Sequence, residues 1–85
     1  MATYKLIDGE FTVAEAKELV ANLLEYKIQY HSRQNFSDEI RSGRSNEQSL
    51  KRSEELTRTK EAFLERMALL DPEKKIVMSA DIMIM

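Results

Sequence analysis

The chain has 85 residues, 42% of them hydrophobic and 33% charged, with thirteen basic and fifteen acidic side chains and a formal net charge of −2. A chain this short forms one domain at most and buries only roughly 60 to 65% of its unfolded surface. Its near-balanced charge leaves no global electrostatic footprint for nucleic acid or acidic membranes. Cysteine is absent, which excludes disulfides, thiol nucleophiles and cysteinyl metal sites, and two Gly with one Pro fit a folded, largely helical domain.

The first residues, MATYKLIDGE, place charges where a signal peptide needs a continuous apolar stretch, so a soluble, cytoplasmic chain is expected. Thr3 to Ile7 is short, aromatic and β-branched and runs into Asp8-Gly9, a turn dipeptide. A strand over about 3–7 is predicted. Thr12 followed by Glu15 makes a capping box behind Phe11, so a helix should begin at Thr12.

No helix breaker follows until Gly43, which predicts a helix over about 12–42. Its first half is amphipathic, with Ala16, Leu19, Val20, Leu23, Tyr30 and His31 near one line and Leu24 and Tyr26 beside them. The same line then turns polar at Gln34, Asp38 and Arg41, while Phe36 and Ile40 point almost to the opposite side. Either the helix kinks or restarts within 32–37, or Phe36 and Ile40 serve a second surface.

Residues 41–49 read as a linker with Gly43 as the helix stop. Ser45 and Gln48 form a second capping box, and a helix over about 46–70 should end before Asp71-Pro72. Its inward stripe is Ser49, Ser53, Leu56, Lys60, Phe63, Met67 and Leu70, with Leu64 alongside. An antiparallel hairpin of these two helices would set Lys27 opposite Glu61. Beyond Pro72 the period becomes two. Ile76, Met78, Ala80, Ile82 and Ile84 share one apolar face of a strand over about 75–85.

The expected fold is therefore α+β, mainly helical: a long antiparallel helical hairpin with strands at both ends, in the order β-α-α-β. Because the second strand looks about twice as long as the first, its surplus length is expected to pair with another chain in a shared sheet of a homodimer, with Ile76, Met78, Ala80, Ile82, Met83 and Ile84 as the dimer strand.

The signals for chemistry are weak. His31, with Tyr30, Lys27 and Gln34 at helical spacings, has the residue types of a general-base cluster, yet such clusters more often form the edge of a core. Asp38 could join a hard-metal site across the hairpin, but a solvated charged face is the simpler reading. No catalytic residue, cofactor or metal ligand is assigned. The basic tip, Arg41, Arg44, Lys51 and Arg52, could meet an acidic partner or phosphates, and Phe36 with Ile40 could form a contact patch rimmed by charge. The sequence thus points to a non-enzymatic interaction or scaffold module acting as a homodimer with a further protein partner. A nucleic-acid-associated regulator using the basic tip is the alternative.

Overall fold

The computed structural model describes residues 1–43 and 47–85, apart from the side chains of residues 37–39 and 42. Strand β1, Ala2–Thr12, leads into helix α1, Val13–Ser42; helix α2, Glu47–Ala68, is followed by strand β2, Lys75–Ile84. The two helices form an antiparallel hairpin and the two strands an antiparallel ribbon, which is the β-α-α-β architecture that the sequence predicts.

Helix α1 starts where its orphan amides find acceptors. The Glu15 amide donates to Thr12 Oγ1 at 3.1 Å, and the Thr12 amide donates to Glu15 Oε1 at 3.0 Å, completing the capping box. The Val13 and Ala14 amides donate to the carbonyls of Lys74 (2.8 Å) and Pro72 (3.0 Å), so the chain segment entering β2 caps the helix leaving β1. That segment is itself a tight turn. Lys74 N–H donates to the Asp71 carbonyl at 3.0 Å and Glu73 N–H to Asp71 Oδ1 at 2.9 Å, with Pro72 fixing φ between them.

Helix α1 is continuous over 30 residues, with no break within 32–37. It ends at Gly43, whose φ of +72° is the left-handed conformation that glycine adopts without a Cβ penalty. The second capping box, Ser45 with Gln48, has its cap outside the described residues.

The first strand differs most from expectation. It does not stop at Asp8-Gly9 but runs through it to Thr12, with Asp8 opposite Ser79, Gly9 opposite Met78 and Phe11 opposite Ile76. Gly9 has a φ of +153°, outside the range that most L-residues adopt, so the glycine of the turn dipeptide serves here as an extended, irregular strand residue. A β-bulge interrupts β1 between Lys5 and Ile7, leaving Leu6 without an opposite residue. With 11 residues in β1 and 10 in β2, the surplus length predicted for β2 vanishes: Ile82 lies opposite Tyr4, Met83 opposite Thr3 and Ile84 opposite Ala2 of the same chain.

The helical seam also differs from expectation. Lys27 does not meet Glu61. Glu25 meets Lys60 instead, and the Lys27 ammonium sits 5.4 Å from the Tyr30 ring centroid, over its face. The inward stripe of α2 matches its prediction, with Ser49 and Leu56 buried and Ser53, Lys60, Phe63, Leu64, Met67 and Leu70 half-buried. On α1 the single predicted apolar line separates into two rows. Val20, Leu24, Ile28 and His31 are half-buried at helical spacings from Val13, and Leu19, Leu23, Tyr26 and Tyr30 form an exposed row beside them.

The described Cα atoms span 48 × 33 × 13 Å, a plate too thin to enclose much of a core. Among the described residues the buried apolar side chains are Ile7, Val13, Ala16 and Leu56.

Candidate functional site

The ribbon is amphipathic. Ile76, Met78 and Ala80, opposite Phe11, Gly9 and Ile7, make one face, and the opposite face carries Lys5, Asp8, Glu10, Lys75, Ser79 and Asp81. The half of the apolar face nearest the helices is covered. Ile7 is buried, Phe11, Ile76, Met78 and Ala80 are half-buried, and Leu6, Ile7 and Phe11 line a cavity with Leu19 and Leu23 of α1. Past the bulge the same face is open, with Tyr4 57%, Ile82 46% and Ile84 56% exposed. Of the six β2 residues proposed from sequence for a dimer strand, Ile76, Met78 and Ala80 are therefore intramolecular contacts in part, and Ile82, Met83 and Ile84 remain accessible.

On the polar face the charges compensate. Lys5 lies opposite Asp81 in the register and 3.6 Å from Asp8, and Lys75 Nζ lies 3.7 Å from Glu10 Oε1.

The residues proposed as a partner surface occupy the far end of the hairpin. Phe36 and Ile40 are 63% and 69% exposed. Arg41 is exposed in the last turn of α1, and Arg44 lies outside the described residues. Lys51 and Arg52 line a cavity of about 390 Å³ with His31, Gln48, Ser49 and Glu55. The Arg52 guanidinium is 3.2 Å from Glu55 Oε2. This cavity joins two features that sequence reasoning kept apart, the histidine of α1 and the basic start of α2.

Within it, His31 Nδ1 is buried and has no hydrogen-bond partner among the described residues, and the ring meets Tyr30 edge-on at 5.3 Å between centroids. Gln34 is half-buried one turn further along α1. A larger groove, about 620 Å³, runs along the other end of the hairpin between Ala14, Lys17 and Ala21 of α1 and Leu64, Met67 and Pro72. Its sequence signal is the pair of small residues Ala14 and Ala21, seven positions apart on α1, which leave a hollow where larger side chains would fill the seam.

Two carboxylates are held below the ordinary value of 4.5. Glu15 is lowered chiefly by the Thr12 backbone amide and then by the Thr12 hydroxyl; Glu25 is lowered first by the hydrogen bond from Lys60 and then by that from Gln29. Both shifts come from structural contacts at helix positions, although Glu15 also lines a shallow surface hollow with Glu18, Leu19 and Asn22. Among the described residues no group of three or more His, Cys, Asp or Glu is placed to hold a metal ion, and the Asp38 side chain lies outside them. Among them, too, no helix is long and apolar enough to cross a membrane. Compared with protein-family models, curated proteins and solved structures, the chain matches none of them.

Proposed function

We propose that this protein is a small, non-enzymatic interaction or scaffold module that acts as a homodimer. The observation that carries this reading is the mismatch between its apolar content and its burial. Four apolar side chains are buried among the described residues, while Tyr4, Leu6, Leu23, Tyr26, Tyr30, Ile82 and Ile84 are at least a third exposed. Open apolar surface on this scale, bordered by charge, is characteristic of a contact surface. Association is a usual remedy for a chain too short to enclose its own core.

Light scattering and sedimentation test it, on the intact chain and on one ending at Ser79. That truncation removes Ile82 and Ile84 and strips Tyr4 of its cross-strand neighbour. The intact chain should be a dimer and the truncated one a weaker dimer of lower stability. Two monomers of equal stability would refute the reading.

A nucleic-acid-associated regulator is the second reading. It is favoured by the cavity that gathers Lys51 and Arg52 around His31, close to the basic residues Arg41 and Arg44 in sequence. Salt-dependent retention on DNA or RNA near physiological ionic strength would support it. Equal passage of the protein through both matrices would remove it.

A further inference from the structure

A two-stranded ribbon leaves two edges open, and here the two edges are unequal. That of β1 is broken by the bulge at Leu6 and by the unusual backbone of Gly9, both features that blunt an edge against pairing. β2 runs from Lys75 to Ile84 with no glycine and no proline, and its burial alternates from Lys75 to Asp81. A two-stranded ribbon is marginal in water, and three or more strands with an apolar face are needed for independent stability.

We propose that the free edge of β2 pairs antiparallel with β2 of a second copy of this chain, about a two-fold axis at Met78, to make a continuous four-stranded sheet. This deepens the homodimer reading and rests on it.

The register follows from charge. Lys75 and Asp81 are the charged residues of β2, each three positions from Met78 and both on the polar face. A two-fold at Met78 sets Lys75 opposite the partner's Asp81, and Asp81 opposite the partner's Lys75. Since Lys5 already faces Asp81 within one chain, each such row alternates in sign over three strands, Lys5, Asp81 and the partner's Lys75, and that lysine in turn reaches the partner's Glu10 on the diagonal.

Other registers fail on two counts. A slip of one residue turns the apolar face of one copy to the polar side of the other. Every other slip that preserves the faces sets Asp81 against an uncharged residue or against a carboxylate, and an axis at Asp81 itself would oppose two like charges. On the apolar face the chosen register is sterically matched, because Ile76 falls opposite the partner's Ala80, large against small, and Met78 meets its own copy at the axis.

The chain has no cysteine, so single cysteines read the axis directly. Met78→Cys should give a covalent dimer on mild oxidation. Val77→Cys should not, because residues one step off the axis lie beyond disulfide reach. Asp81→Lys and Lys75→Asp, each alone, should weaken the dimer by roughly tenfold or more in sedimentation, because like charges then oppose at both ends. Mixing the two variants should restore association, because the mixed dimer regains both opposite-charge pairs. A wild-type dimer in which Met78→Cys fails to cross-link, or one that neither charge variant weakens, would overturn the β2 edge while leaving the homodimer standing. A monomeric wild type would overturn both.

Discussion

Lys60 donates a hydrogen bond to Glu25 Oε2 at 2.8 Å across the helical seam, joining residues that lie 35 positions apart in sequence. Gln29, one turn along from Glu25, donates to the other carboxylate oxygen at 3.2 Å. Both bonds favour the ionised carboxylate, which is why its proton affinity falls. The half-buried stem of Lys60 covers part of the seam on its way to that bridge.

The pH dependence of stability carries the signature of that bridge. Glu25 titrates below its ordinary value in the folded chain, so its contribution is fully present above the unfolded value and is lost as pH falls through the folded one. The Glu25→Gln variant should have a lower urea midpoint than wild type near neutral pH, and the two should converge as pH falls through the lowered folded value of Glu25. Added salt should shrink the neutral-pH difference, since the pair is partly open to solvent.

Loss of the capping box should be costly for its size. Thr12→Ala removes the acceptor of the Glu15 amide while the residue-12 amide still donates to Glu15 Oε1, at a cost of about 1 kcal/mol. Thr12→Ser should retain most of that stability. Thermal unfolding followed by circular dichroism would separate the two variants; an alanine variant as stable as wild type would contradict the geometry.

Gly9 offers a test of backbone strain with little steric confusion. A Cβ built there meets Phe11 ring carbons at 3.9 Å, an ordinary contact, so the penalty in Gly9→Ala comes from φ rather than from a clash. Destabilisation of about 1 to 3 kcal/mol is expected from denaturant titration. A neutral effect would mean that the strand relaxes to a more usual extended conformation.

Phe36 and Ile40 should behave as surface residues. Their joint replacement by Glu is expected to change unfolding free energy by less than about 1 kcal/mol, because substitution of exposed side chains away from caps and packed contacts is nearly neutral. Partner capture, if this patch serves one, should fail in the same variant.

Exchange of amide hydrogens should grade along the hairpin. Near the strands, α1 is covered by the ribbon and capped by the turn at Asp71, whereas the far end packs around Ser49 and Ser53. Amides in residues 35–43 and 47–54 should exchange faster than those of Leu19 to Leu24. Uniform protection would show that the polar end of the seam is as stable as the apolar one.

Helix starts, helix stops and strand alternation were readable without a structure because each is decided over a few residues. Thr12 with Glu15 needs only a helical turn to form its box, Gly43 needs only its own φ, and the two-residue period of Ile76 to Ile84 needs only an extended backbone. The inward stripe of α2 followed for the same reason, since its spacing alone defines a face.

What tertiary structure decided lies between segments distant in sequence. Asp8-Gly9 has the composition of a turn, but ten residues of β2 offer partners on past it, and the ladder carries β1 through to the helix cap. That pairing erased the length mismatch on which a shared strand at Ile82 to Ile84 was expected. Whether Lys27 or Glu25 crosses the seam depends on how far one helix slides along the other, and local spacing does not encode that offset. The ribbon likewise covers Leu19 and Leu23 only in part and does not reach along α1 to Tyr26 and Tyr30, dividing one apolar line into a seam and an open row. Periodicity marks which side chains avoid water; the packing of distant segments determines which of them succeed.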